Sequence, residues 1–266
     1  MARPLPRAAL PCRAARYPIC ATSDETAVVS NSEAGLAWHR RLGYRPRRAL
    51  VIPNGYDTSR FRPDPEAGAA LRRRLGWPAD AVIVGMVARV DPAKDHAGFL
   101  EAIGRGPPAL HAVLIGQGTE SLAIPPPLAG RVAALGVRAD VAALTAGFDI
   151  ACLASFTEGF PNVVAEAMAC GVPCVITDSG GVGLFAKHNV NALISPPGDA
   201  ESLASHVIRL LEDKALRQRL SQSCRSSVMW MDRMASARAT ADLFRDLLAG
   251  RHPARSYGYP SENARG

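Results

Sequence analysis

AVIVGMVARVDPAKDHAGFL (81–100) opens on eight small or apolar residues, breaks at a charged loop, and resumes as a helical pattern over 95–103. A strand exposed on one face would alternate apolar with polar residues. An unbroken Val/Ile/Ala run instead needs cover on both faces, which is the signature of a buried parallel strand. The pattern recurs in HAVLIG (111–116), RVAALG (131–136), FDIACLAS (148–155), VPCVIT (172–177) and NALISP (191–196). Helical spacing occupies 140–146, 161–170, 200–212, 214–226 and 231–249. Gly171 stands where a helix-ending residue with positive φ is expected. The predicted fold is an α/β, doubly wound, Rossmann-like parallel sheet, whose ligands sit at the carboxyl ends of its strands.

Outward from this unit the pattern thins. AVVSNSEAGLAWHRRLGY (27–44) gives a strand end, a capping box of Ser30 with Glu33, and a helix stopped at Gly43. ALVIPNGYD (49–57) adds a short strand and an Asn54-Gly55 turn. Two strands and one helix do not close a core. The expected division is therefore a ragged or mis-started segment (1–25), a remnant of an earlier domain with an interdomain segment (26–62), a ligand-binding domain (63–249) and a disordered tail (250–266).

The bulk properties narrow the classes. The 266 residues carry a formal charge of +7, with basic clusters in HRRLGYRPRR (39–48) and RRR (72–74). Nucleic acid is not expected as a partner, because no aromatic-rich single-strand platform or zinc knuckle accompanies the charge. The clusters read as a solvated basic face, compatible with peripheral contact to an anionic membrane. No apolar run approaches the roughly 18 residues of a membrane span. The six cysteines form no CxxC pair, so a reduced, cytoplasmic protein fits better than a disulfide framework.

TEGFPNVVAEAMACGVPCV (157–175) carries the chemistry. Pro161 suits the first turn of a helix, leaving the amides of Asn162, Val163 and Val164 at a start whose dipole favours an anion. Side chains lean toward a helix N-terminus, so Glu166 aims back at the same place, with Glu158 in the loop before it. Two carboxylates repel a phosphate, so cations are required, and Arg89 and Lys94 supply them from the loop after a strand. The carboxylates suit sugar hydroxyls. The sum is a pocket for a nucleoside diphosphate carrying a sugar. Taken singly, each of these residues also reads as an ordinary surface charge, and IGQGTE (115–120), with Gly116 and Gly118, lacks the third glycine of a dinucleotide loop.

Jointly the motifs resemble family 4 of the retaining glycosyltransferases, whose GT-B fold pairs two Rossmann-like domains across a cleft. Glu158 and Glu166 match the E-x7-E pattern, Arg89 and Lys94 the cationic strand-loop, and VIPNGYDTSRFRPD (51–64) the segment joining the domains. TDSGGVGLFAKHNVNALISPPGDAESLASHVIRLLED (177–213) matches the family's pattern after the E-x7-E helix, so the similarity spans about residues 26–249. The resemblance implies transfer of a sugar from a nucleotide donor, with retention and without a metal or other cofactor. It implies Arg89 and Lys94 on the leaving diphosphate, and Glu158 with Gly159, Phe160, Pro161 and Asn162 on the donor sugar. It also implies the amides near Val163 on phosphate, Glu166 on the ribose, and the Gly116–Gly118 loop at the nucleotide.

Two departures stand out. Most of the acceptor-binding domain of that family has no counterpart here, so the acceptor, whether saccharide, lipid or small molecule, is unknown. TESLAIPPPLAG (119–130) replaces a crossover helix, since three prolines cannot sit inside one. A chain of this kind is either the donor half of a transferase, complete only with a separate acceptor-domain chain, or an inactive nucleotide-sugar-binding or interaction module. An NAD-dependent oxidoreductase is disfavoured by the missing GxGxxG and ribose-binding acid.

Overall fold

The Val/Ile/Ala runs fold as six parallel strands in one sheet. In the computed structural model, which describes residues 27–46 and 48–251, they are β3 (Val82–Val87), β4 (Leu110–Ile115), β5 (Val132–Ala134), β6 (Ile150–Leu153), β7 (Cys174–Thr177) and β8 (Leu193–Ser195). The order is β5-β4-β3-β6-β7-β8, with every pairing parallel. Order therefore reverses at β3, whose neighbours are β4 on one side and β6 on the other. That reversal is the switch point at which a doubly wound sheet opens a ligand crevice. Expectations for the segment before residue 27 and the tail after 251 lie outside the described residues.

Helices cover both faces, as unbroken apolar strands demand. On one side pack α3 (His96–Gly104) and α6 (Ala200–Glu212), with Phe99, Ile103, Leu203 and Val207 buried against Val84, Met86 and Leu114. On the other lie α4 (Val141–Ala146) and α5 (Asn162–Ala169), with Val164 and Met168 against Ile83, Val113 and Ile176. Each such side chain contributes about 1.5–3 kcal/mol on burial. Aspartates start the later helices: Asp199 caps α6, Asp213 caps α7 (Lys214–Val228), and Asp232 caps α8 (Arg233–Leu248). A cap of this kind is worth about 1 kcal/mol. Gly171 has φ +73° directly after α5, as its position predicted.

The proline-rich connection from β4 to β5 contains no α-helix. Two short 3-10 turns, Thr119–Ser121 and Pro126–Leu128, bridge the parallel strands, and Leu128 plugs the core.

Two expectations change. The helix α1 (Glu33–Arg41) is capped by Ser32, whose Oγ accepts from the Gly35 amide at 3.0 Å, not by Ser30. Ser30 is still a strand residue: β1 (Ala27–Ser30) pairs in parallel with β2 (Arg48–Val51), so the helix begins too late for Glu33 to be its third residue. The RRR cluster (72–74) lies on a helix that the periodicity reading missed, α2 (Ala67–Leu75). It is not simply solvated. Arg72 is ion-paired with Asp149 and donates to the Ala81 carbonyl, while Arg74 pairs with Asp140 at 3.0 Å.

The small β1–β2 sheet is held by the far end of the chain. Leu50 and Ile52 pack on Ala239 and Leu243 of α8, and the Tyr56 hydroxyl donates to the Val228 carbonyl at 2.6 Å. Val29, Trp38, Phe244 and Leu248 remain exposed around this layer. Among the described residues no helix is long and apolar enough to cross a membrane.

Candidate functional site

The loops that leave β3 and β6 meet at the switch point. After β3 the chain turns through Arg89–Asp91 into a 3-10 turn, Pro92–Lys94, capped by Asp91 through the Ala93 amide at 2.9 Å. After β6 it runs through Ser155 to Glu158. The Phe156 amide donates to the Ala93 carbonyl at 2.8 Å, tying the two loops together. Within that frame Lys94 Nζ lies 2.6 Å from Glu158 Oε1, with side chains only 18% and 10% exposed. The cation expected on the diphosphate and the carboxylate expected on the sugar are bonded to each other. The pairing neutralises Glu158 and leaves Lys94 two further N–H donors for an anion.

Arg89 is placed differently. Its guanidinium is 63% exposed and reaches Asp91 at 3.1 Å. The Ala93 amide, with Arg89 second, holds the Asp91 carboxyl below its ordinary range. An exposed pair of this kind is worth little and is readily exchanged for a ligand phosphate. Alongside, Ala88 and Val90 donate to the Ile115 and Gln117 carbonyls, each at 2.8 Å, so the Gly116–Gly118 loop runs beside the cationic one. Gly116 has φ +140°, and a Cβ there would lie 2.2 Å from the Ala88 carbonyl oxygen. That close approach is what the glycine permits.

The start of α5 is tighter than expected. Pro161 occupies the capping position rather than the first turn, and the Asn162 and Val164 amides donate to the Phe160 and Pro161 carbonyls. Local turns thus consume two of the three amides, and Val163 is the one with no acceptor among the described residues outside the helix. Asn54, from the segment before α2, donates to Asn162 Oδ1 at 3.0 Å. One turn up α5, Glu166 is half-buried. Burial pushes its carboxyl above the ordinary range, and the nearby Arg60 opposes the shift. Arg60 itself donates to the Ala139 carbonyl at 2.7 Å, in the loop after β5.

Sequence reasoning missed two contributors. Ser155 donates to Glu158 Oε1 at 2.7 Å, and nothing in FDIACLAS distinguishes it from a strand-end serine. The loop after β7 also supports Glu158, whose amide donates to the Ser179 carbonyl at 2.6 Å. There the backbones touch: a Cβ on Gly181 would sit 2.1 Å from the Gly159 carbonyl oxygen. The available signal was the pair Gly180-Gly181. Among the described residues no three His, Cys, Asp or Glu side chains gather as a metal centre.

The chain and its fold have known counterparts. Residues 69–227 match the family model described as glycosyl transferases group 1. The chain is 31% identical over 215 residues to the lipopolysaccharide core biosynthesis glycosyltransferase LpsE of Rhizobium meliloti, covering 79% of this chain and 60% of that one. It is 27% identical over 201 residues to an Escherichia coli UDP-Gal:alpha-D-GlcNAc-diphosphoundecaprenol alpha-1,3-galactosyltransferase, covering 71% of this chain and 52% of that one. The chain thus spans about half the length of the curated relatives it matches. Anabaena HepE in complex with UDP and glucose superposes with a TM-score of 0.77 at 27% identity, over 83% of this chain and 63% of that one. The sheet is that of GT-B glycosyltransferases.

Proposed function

The chain belongs to the group 1 glycosyl transferases, and from that premise we propose that it binds a nucleoside-diphosphate sugar and supports transfer of the sugar, with retention, to an acceptor. Lys94 and Arg89 take the diphosphate, Glu158 and the Gly159–Asn162 backbone take the sugar, the Val163 amide takes a phosphate oxygen, and Glu166 takes the ribose. The observation that carries this reading is the Lys94–Glu158 pair at the switch point. An ammonium and a carboxylate side by side, with α5 starting at Asn162 shortly after Glu158, support a site that takes both a phosphate and a sugar hydroxyl. Rate acceleration then comes from stabilising the charge that develops on the leaving diphosphate. That HepE is described with UDP and with UDP-glucose supports a nucleotide-sugar donor. The acceptor is a saccharide, a lipid or a small molecule.

Calorimetric titration with UDP-, GDP- and ADP-sugars tests the reading. One of them binds the native chain, and Arg89→Ala and Glu166→Ala each weaken it. Failure of all three to bind dismisses a donor site. A second reading, a donor-binding module without transfer of its own, is favoured by the apolar side chains Val29, Trp38, Phe244 and Leu248 left exposed around β1, α1 and α8. Adding an acceptor domain in trans and assaying transfer separates the two.

A further inference from the structure

Glu158 Oε1 receives two donors, Lys94 Nζ at 2.6 Å and Ser155 Oγ at 2.7 Å. No described group bonds Oε2. A carboxylate held through one oxygen by two different donors cannot spin about its terminal torsion without breaking one of them. Its second oxygen is therefore the acceptor presented to a ligand. Ser155 is completely buried, and its own carbonyl is fixed from below by the Thr177 hydroxyl of β7 at 2.6 Å. A chain of contacts thus runs from a sheet strand through Ser155 to the carboxylate.

We propose that Ser155 is a positioning residue of the donor-sugar site: its hydroxyl orients Glu158 so that Oε2 accepts from a hydroxyl of the transferred sugar. The inference rests on the donor reading above and adds a residue that touches neither sugar nor phosphate. Lys94 alone is not sufficient for this role. Once it also engages a diphosphate, its flexible stem no longer fixes the carboxylate, whereas the serine hydroxyl sits on rigid backbone. The loop does not depend on that hydroxyl. Its main chain is held by the Phe156 amide on Ala93, the Glu158 amide on Ser179 and the Thr177 hydroxyl on the Ser155 carbonyl. Removing the Ser155 hydroxyl therefore frees the carboxylate and leaves the backbone in place.

The consequence is selective. A diphosphate without a sugar does not use Oε2, so Ser155→Ala distinguishes the nucleotide sugar from its own nucleotide. The full chain and the Ser155→Ala, Ser155→Thr and Ser155→Cys variants are titrated calorimetrically with UDP-glucose, UDP-galactose, GDP-mannose and ADP-glucose. Free UDP, GDP and ADP serve as matched ligands. For the pair that binds, Ser155→Ala keeps nucleotide affinity within about twofold and loses roughly tenfold for the nucleotide sugar, the size of one charge-assisted hydrogen bond. Ser155→Thr, which keeps a hydroxyl, restores the difference. Ser155→Cys, close in shape but a weak donor, loses it, which covers the case of a poorly folding alanine variant. Equal affinity of native and Ser155→Ala protein for the nucleotide sugar overturns the proposal while the donor site stands, and so does an equal loss for nucleotide and nucleotide sugar. If the native chain binds none of these ligands, both fall together.

Discussion

Lys94 on the loop after β3 and Glu158 on the loop after β6 form a 2.6 Å ion pair 64 residues apart in sequence, at the one place where the sheet's strand order reverses. Each half of the pair answers a problem posed by the other. A carboxylate alone would repel a diphosphate, and a lysine alone would be an unneutralised charge in a partly dry crevice. Joined, they set an ammonium and a carboxylate one hydrogen bond apart, the pair proposed above to meet an anion and a sugar hydroxyl.

Breaking the pair from one side leaves the other charge unpaired at 10–18% exposure. Lys94→Ala should therefore destabilise the fold by about 3 kcal/mol, the low end of the range for buried pairs. Lys94→Met combined with Glu158→Gln, which removes both charges at similar volume, should cost clearly less. Urea unfolding of the three proteins checks this. Equal losses in the single and double variants would show that the pair is solvated and energetically idle.

Glu166 carries a penalty. Its folded pKa lies above the ordinary glutamate value of 4.5 because of burial. The folded state holds the proton more tightly than the unfolded one, so this contribution is favourable below about pH 4.5 and disappears as pH rises through the folded value. At pH 7 the ionised carboxylate costs stability. Glu166→Gln should raise the melting temperature at pH 7, with no gain at pH 4, while weakening nucleotide binding. A lower melting temperature at pH 7 would mean that the field of Arg60 outweighs desolvation.

How far the sequence could have said this differs by element. The six central strands and α3–α8 were legible because burial on both faces writes itself as unbroken apolar runs separated by helical spacing. The helix that carries Glu166 was legible, because Pro161 and the apolar spacing after it mark a start near Asn162. The Lys94–Glu158 bond was not, since spacing places two groups in one crevice without saying whether they touch. α2 was passed over because its arginines dominate the composition, although Ala67, Leu71 and Leu75 fall at helical intervals. The Ser155 contact depends on how the loops after β6 and β7 approach each other, and of that approach the sequence carries only the Gly180-Gly181 pair as a signal.

His96, the first residue of α3, is 6% exposed, and neither ring nitrogen hydrogen-bonds to a described group. Burial pushes its pKa below the ordinary 6.5, with Lys94 adding to the shift and the Ala88 carbonyl and Asp95 opposing it. The unfolded chain therefore binds the proton more readily. Stability from this residue is complete above about pH 6.5 and falls as pH drops toward the folded value. His96→Phe should flatten the pH dependence of the urea midpoint between pH 5 and 7. An unchanged slope would show that His96 does not titrate differently on folding.

Gly116 separates close approach from backbone preference. Its φ of +140° disfavours any side chain, and a Cβ would lie 2.2 Å from the Ala88 oxygen and 2.8 Å from the Arg89 nitrogen. Relief requires the loops after β3 and β4 to part, breaking the Val90–Gln117 hydrogen bond and displacing Arg89. Gly130 also has positive φ, +78°, but a Cβ there meets nothing within 4 Å. Gly130→Ala should cost only about 1 kcal/mol, the price of backbone strain, and leave donor binding alone. Gly116→Ala should cost about 2–4 kcal/mol, strain plus overpacking, and should weaken nucleotide affinity with it. Denaturant midpoints and calorimetric titration of both variants decide the matter. Similar stability losses at the two glycines, with nucleotide affinity intact in Gly116→Ala, would show that the two loops can separate without moving Arg89.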